Sequence, residues 1–285
     1  MAGVLSESAD TGREKPMRPP SAASHRFAAG AGRVARSIGQ IALFGVFAVI
    51  GALMSGLIVP ACWLFVRNPV RRACAVRSVV YRLMCNYVRS MRALRLIDLE
   101  ISGLDAAPAP GSLIVANHPS LIDALILLGH VKGAVVVAKR SLQVSFFTAG
   151  GIRGANYVVN ADALSLIEEC RARIAAGESL VLFPECTRTA DDGVIRLQRG
   201  AAHIAVRSGC PVIPVTIEFS EPLLTKKSRW WLAPRVRPSV RVVGHPAIDS
   251  AQFLHGARSV SLAARQLTEH LRQLYVKELA RRGSA

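Results

Sequence analysis

Leu113-Ile-Val-Ala-Asn-His-Pro-Ser-Leu-Ile-Asp123 decides the fold of this chain. Its first four residues form a short apolar run of the length expected for a strand buried on both faces. Pro119 suits the first turn of a following helix, where its fixed φ fits and its missing N–H is not needed. The stretch therefore reads as a strand running into a helix, with His118 at the junction and Asp123 about a turn inside. The pattern recurs downstream. Leu113–Ala116, Val135–Ala138, Leu180–Phe183, Val212–Glu218 and Ser239–Val243 read as buried strands. Leu164, Ile167 and Ile174 mark one helix face, with Asp162 near its start and Gly177 near its end. Gln198–Ser208 is a second helix, closed by Gly209-Cys-Pro211, and Val260, Ala264, Leu267, Leu271 and Leu274 define a C-terminal amphipathic one. Such alternation predicts an α/β fold, an αβα sandwich.

Outward from this region the composition changes. The 285 residues are 51% hydrophobic and 19% charged, which excludes a disordered chain. The net charge of +17 asks for an anionic partner: nucleic acid, a membrane surface, or an acidic substrate. It is confined to three segments. Residues 1–40 carry +3, residues 67–95 carry eight arginines and no acid, and residues 226–241 carry six bases and no acid. Between the first two lies Ile41–Val66, 26 residues without a charge. As one helix this run is about 39 Å long, enough to cross a hydrocarbon core of roughly 30 Å with tilt. Pro60 inside it leaves a re-entrant hairpin open, and the small residues Ala48, Ala52 and Gly56 fall at four-residue spacing.

Residues 1–37 are thus expected to be a disordered basic tail and 38–66 a transmembrane or re-entrant anchor. Residues 67–100 read as an arginine-rich amphipathic helix on anionic membrane lipid, the alternative being a helix packed on the domain with solvated arginines, and Val76, Val80, Leu83, Tyr87, Met91 and Leu94 mark its apolar face. Residues 101–285 form the domain itself. Deleting residues 1–66 is expected to leave that fold intact while weakening membrane attachment. The heavier basic flank after the anchor predicts the domain on the cytoplasmic face, the inner membrane in a bacterium. The six cysteines show neither CxxC pairs nor metal-ligand spacing and read as reduced thiols.

Residues just beyond strand ends carry the chemistry in such folds. In Asn117-His-Pro-Ser-Leu-Ile-Asp123 a carboxylate can fold back on the imidazole and fix its tautomer. The bland alternative is a capping histidine with Asp123 complementing the helix dipole. In Phe183-Pro-Glu-Cys-Thr-Arg188, Arg188 offers a fork suited to phosphate and Glu185 an acceptor for a hydroxyl, although alone this is also an ordinary surface loop. Trp230-Trp231 stand among Lys226, Lys227, Arg229 and Arg235, a mixture suited to a membrane interface or to an acidic carrier.

The two motifs, in this order behind an apolar segment, resemble the 1-acylglycerol-3-phosphate and lysophospholipid acyltransferase superfamily. Its Asn-His-x4-Asp block is matched by Asn117, His118 and Asp123. Its Phe-Pro-Glu-Gly-Thr-Arg block is matched by Phe183, Pro184, Glu185, Thr187 and Arg188, with Cys186 in place of glycine, and its Val-Pro-Val-like strand by Ile213-Pro214-Val215. A further block is matched in outline by Ala138-Lys139-Arg-Ser-Leu142 and by Gly150, Gly151 and Gly154, but Asn160 stands where the family has a phosphate-holding arginine.

The resemblance implies a glycerolipid acyltransferase-like fold. It also implies acyl transfer from acyl-CoA or acyl carrier protein to a lyso-glycerolipid hydroxyl, with neither metal nor cofactor. His118 would act as base, oriented by Asp123. Asn117, Lys139, Arg153, Glu185, Thr187 and Arg188 would bind substrate, Lys139, Arg140 or Arg153 compensating for Asn160, and amides near Gly150–Gly154 are candidate oxyanion donors. The default acceptor is 1-acylglycerol-3-phosphate, with a lyso-ornithine lipid or another specialised lipid as the alternative. Two other classes compete: an inactive lipid-binding protein of the same fold, opposed by the intact His118, Asp123 and Glu185, and a nucleic-acid-binding protein. The latter needs aromatics within a charged face, whereas the largest arginine cluster here abuts the apolar anchor.

Overall fold

The computed structural model describes residues 22–160, 162–190 and 194–281. The chain enters as a long helix, α1 (Ala22–Leu53), passes through one π-helical segment at Met54–Ile58 and continues as α2 (Val59–Phe65). The π segment lies just ahead of Pro60, and the Val59 N–H reaches back to the Met54 carbonyl. Gly30–Phe65 is thus a single 36-residue run, long and apolar enough to cross a membrane, without the reversal a hairpin at Pro60 requires. Residues 1–21 of the expected disordered tail lie outside the described residues. From Ala22 onward the expectation was wrong, because the alanine-rich sequence is helical.

After a short corner, Asn68 caps α3 (Pro69–Ala93), its side chain accepting from the amides of Val70 and Arg71 at 3.0 Å. The remaining elements are β1 (Asp98–Ser102), β2 (Leu113–Ala116), α4 (Asp123–Leu128), β3 (Val135–Lys139), α5 (Arg140–Val144), α6 (Ala149–Gly154), β4 (Val158–Asn160), α7 (Ala163–Ala175), β5 (Leu180–Leu182), α8 (Gly200–Ser208), β6 (Pro211–Phe219), β7 (Ser239–Gly244), β8 (Ile248–Asp249), α9 (Gln252–His255) and α10 (Val260–Ala280).

The strands form one mixed sheet in the order β1-β7-β6-β2-β5-β3-β4, with β8 on β6. β2 is parallel to both β5 and β6, while β7 runs antiparallel to β6. All four β2 residues are fully buried, so helices cover both faces of the sheet, as a sandwich requires. The chain leaves β2 for one side of the sheet and returns for β6 on the other. This opens a crevice beyond the ends of β2 and β5.

The apolar face of α3 is turned into the domain, burying Val76, Val80, Met84, Tyr87 and Met91 against α4 and the core. It therefore packs on protein, not lipid, and only its opposite face, with Arg71, Arg82 and Arg89, is exposed. Nor are all eight arginines unpaired. Arg77 is buried, donates to Glu178 at 2.7 Å and to the Ala155 carbonyl at 2.9 Å, and Arg173 grips the other Glu178 oxygen at 2.9 Å. In the third basic segment, Arg237 and Arg241 pair with Asp98 and Glu100, which strand pairing of β1 with β7 brings alongside.

The domain follows the long helix almost end to end. Arg33 donates to the Ala233 carbonyl at 2.9 Å, Arg36 to that of Pro234 at 3.1 Å, and Gln40 to that of Trp230. Phe44 meets the Trp230 ring at 5.2 Å and Phe47 the Tyr87 ring at 5.9 Å. Beyond these, α6 lies directly on the π segment. A Cβ on Gly150 would stand 2.7 Å from Ser55 Cα, and one on Gly154 would overlap the Val59 side chain, so both glycines are needed for close helix packing. The stripe Ala48, Ala52 and Gly56 is not the packing face. Ala52 and Gly56 are exposed.

Candidate active site

Two loops meet in the crevice. The first leaves β2 at Ala116. Pro119 does not begin the helix as expected; residues 117–122 remain irregular and α4 starts at Asp123 itself. The loop nevertheless brings the pair together, with His118 Nδ1 2.9 Å from Asp123 Oδ2, which also accepts from the Ser120 amide at 2.7 Å. Asp123 is fully buried, and that burial pushes its carboxyl up to about 6 against the pull of His118 and Ser120. With Nδ1 on the carboxylate, the other imidazole nitrogen, Nε2, is left for a substrate, and the ring stacks on Phe183 at 4.4 Å.

The second loop leaves β5 at Leu182. Glu185 Oε1 accepts from the His118 amide and from the Thr189 hydroxyl, both at 2.8 Å, and the Thr189 amide donates to the His118 carbonyl at 2.7 Å. Glu185 is buried, and this raises its carboxyl from the ordinary value. It holds the histidine backbone, a different task from the hydroxyl acceptor expected of it. Thr189 lies one residue beyond the motif, where neither spacing nor residue type marks its part. Asn117 also departs from expectation. It is buried, and its carboxamide makes both hydrogen bonds to the Ile217 backbone, at 2.8 and 2.7 Å, stapling β2 to β6.

Beside His118 opens a cavity of about 830 Å³. Its walls are largely apolar, from Leu83 and Met84 of α3, Leu125 of α4 and Tyr157, and Phe47, Ile50 and Met54 of the long helix form one side. Lys139, Arg140 and Arg188 supply cationic groups to its lining, beside neutral polar residues such as Ser141, Thr187 and Gln198. Arg188 spends Nη1 on the carbonyls of Leu224 and Thr225, each at 2.8 Å, tying the following loop to the site. Arg153 is not in the lining. Its neighbour Ile152 is the buried residue of α6, and one helical step turns Arg153 outward to solvent. Asn160 does line the cavity and sits opposite Lys139 in the β3–β4 register. In the stretch expected to supply oxyanion donors, the Ile152 amide donates to the Thr148 carbonyl at 3.0 Å, while Gly151 lines the cavity. Cys186 lines the cavity with its thiol exposed and holds φ of 56°, a left-handed conformation natural to glycine.

Residues 98–218, from β1 to the end of β6, match the family model described as Acyltransferase. The chain carries an acyltransferase-family domain. This domain is similar to 1-acyl-sn-glycerol-3-phosphate acyltransferase alpha of Ovis aries, 28% identical over 184 residues, covering 59% of this chain and 62% of that protein. It is similar as well to the Homo sapiens protein of the same name, 28% identical over 170 residues, covering 55% and 59%. The chain thus spans less than two thirds of the length of these relatives. The acyltransferase domain and its N-terminal helices share the fold of the 1-acyl-sn-glycerophosphate (LPA) acyltransferase PlsC from Thermotoga maritima. The TM-score is 0.66 at 24% identity, over 86% of this chain and 96% of that one.

Proposed function

We propose that this protein transfers an acyl group from a thioester, acyl-CoA or acyl carrier protein, to the free hydroxyl of a lyso-glycerophospholipid at a membrane surface. The relatives' names favour 1-acylglycerol-3-phosphate as acceptor. The observation that carries the reading is the 2.9 Å His118–Asp123 pair on the wall of a large apolar cavity whose polar lining includes Lys139, Arg140 and Arg188. Apolar walls suit acyl chains, and Lys139, Arg140 and the unused nitrogens of Arg188 suit a phosphate.

In the reaction the acceptor hydroxyl attacks the thioester carbonyl while His118 Nε2 takes its proton. A C–O bond forms, the tetrahedral intermediate collapses with loss of the C–S bond, and the proton passes from His118 to the leaving thiolate. General base catalysis of this kind is worth about 10²–10⁴-fold. Asp123 orients the imidazole and stabilises its cation. Glu185 fixes the histidine backbone.

The reading of membrane attachment also changes. The domain touches the long helix from Arg33 to Ser55, about 33 Å, as much as the thickness of a hydrocarbon core. A helix crossing the bilayer upright would drag this polar domain into lipid. The contacts support a helix lying in the membrane plane, its free face (Ile38, Ile41, Val49, Leu57) in the acyl region and the neighbouring bases on an anionic, cytoplasmic leaflet.

The test offers labelled acyl-CoA and acyl carrier protein to the full chain with a panel of lyso-lipids. Acylation of 1-acylglycerol-3-phosphate, lost by about 10²-fold or more in His118→Ala, is expected. Lys139→Ala and Arg140→Ala should raise KM for phosphate acceptors, and Arg153→Ala should not. An unaffected His118→Ala variant would sink the mechanism. Because Asn160 leaves its cavity position uncharged, preference for a zwitterionic or ornithine-type acceptor is the second outcome, and the panel separates the two.

A further inference from the structure

Tyr275, on α10, is fully buried, and its hydroxyl donates to the Val115 carbonyl at 2.6 Å. Val115 lies opposite Leu182 of β5 and Pro214 of β6. It therefore sits where the strands feeding both loops of the site are joined. Two residues on, Asn117 staples the same strand to Ile217, and His118 follows. Packing alone gives no reason for a phenol here. Phenylalanine would fill the same space without the cost of burying a hydroxyl. Burial holds the phenol far above its ordinary range, so it remains a neutral donor wherever the enzyme works.

We infer that Tyr275 is a positioning residue. From the C-terminal helix it fixes the end of β2, and through β2 the direction in which His118 leaves the sheet. The inference rests on the acyl-transfer reading of His118. A misplacement of ångström scale at a reacting group costs up to about 10²-fold, so partial loosening predicts a clear but incomplete loss of rate.

The experiment compares the full chain with Tyr275→Phe, which keeps the ring, and with Leu271→Ala, one turn earlier on the same buried face. Tyr275→Phe should lower kcat about tenfold with KM for both substrates within twofold, and should speed hydrogen exchange in residues 113–118. Leu271→Ala, which leaves the hydroxyl in place, should lower Tm at least as far while keeping kcat per folded molecule. Parent-like kcat and exchange in Tyr275→Phe overturn the inference. So does an equal loss of kcat in Leu271→Ala, which would make any weakening of α10 sufficient. A parent inactive on every acceptor instead sinks the acyl-transfer reading, and hydrogen exchange still decides the role of Tyr275.

Discussion

Replacing Asp123 by asparagine should make the protein more stable and nearly inactive. Burial raises the Asp123 carboxyl from 3.8 to about 6, a shift of about two units. At about 1.4 kcal/mol per unit, the fold favours the neutral form over the ionised one by about 3 kcal/mol. Because the folded value lies above the unfolded one, this stability is fully present below about pH 4 and is lost as pH rises through about 6. Asparagine stays neutral throughout, and its oxygen can still accept from the Ser120 amide. At pH 8 Asp123→Asn should therefore exceed the parent by up to about 3 kcal/mol, a rise in Tm of roughly 5–10 °C. The two should converge near pH 4. Meanwhile the amide oxygen that takes the place of Oδ2, facing both Ser120 and His118 Nδ1, is uncharged, so it no longer stabilises the imidazolium formed in the reaction, and the exchange should cost up to about 10⁴ in kcat. Thermal unfolding at pH 4 and pH 8, beside single-substrate kinetics, reads both effects. A variant less stable than the parent at pH 8 would refute the reasoning, because the carboxylate would then be a net stabiliser.

Three shorter predictions accompany it. Cys186→Gly relieves a left-handed φ of 56° and should raise stability by up to about 1 kcal/mol in urea titration, while removing a cavity thiol whose alkylation by a small maleimide should block turnover. Glu178→Gln leaves Arg77 buried without its countercharge and should cost about 3 kcal/mol or more, seen as a fall in Tm. Deleting residues 1–66 should abolish activity even in detergent, an effect beyond the weakened membrane attachment expected from sequence, since Phe47, Ile50 and Met54 form one wall of the cavity.

The central architecture was legible because buried parallel strands write themselves as uninterrupted apolar runs. Leu113–Ala116, Leu180–Leu182 and Pro211–Phe219 lie where their composition put them. β1 was missed because Asp-Leu-Glu-Ile-Ser alternates along a sheet edge, and β4 because three residues carry no period. His118 and Asp123 could be paired from spacing alone, although the loop between them is not the helix that Pro119 suggested. What stayed hidden was contact across distance in sequence. Glu178 is 101 residues from Arg77, so a charge count along α3 could not see it. The roles of Asn117 and Glu185 depend on backbone atoms of other strands, which no motif records. Gly150 and Gly154 looked like part of a catalytic block because their partner surface, Ser55 and Val59, lay in a segment read as a detached anchor.

The meshing of that helix with α6 bears on how such a protein can be changed. A tether joined to its domain by a linker can be exchanged for another without regard to sequence, and its only duty is location. Here glycine-to-backbone contacts fix one register between helix and domain, and the same helix closes the cavity. Anchor and domain are thus constrained to vary together. A chimera carrying a foreign membrane segment would reach the bilayer with its cavity open on one side, and a compensating change in the helix would have to be matched in α6.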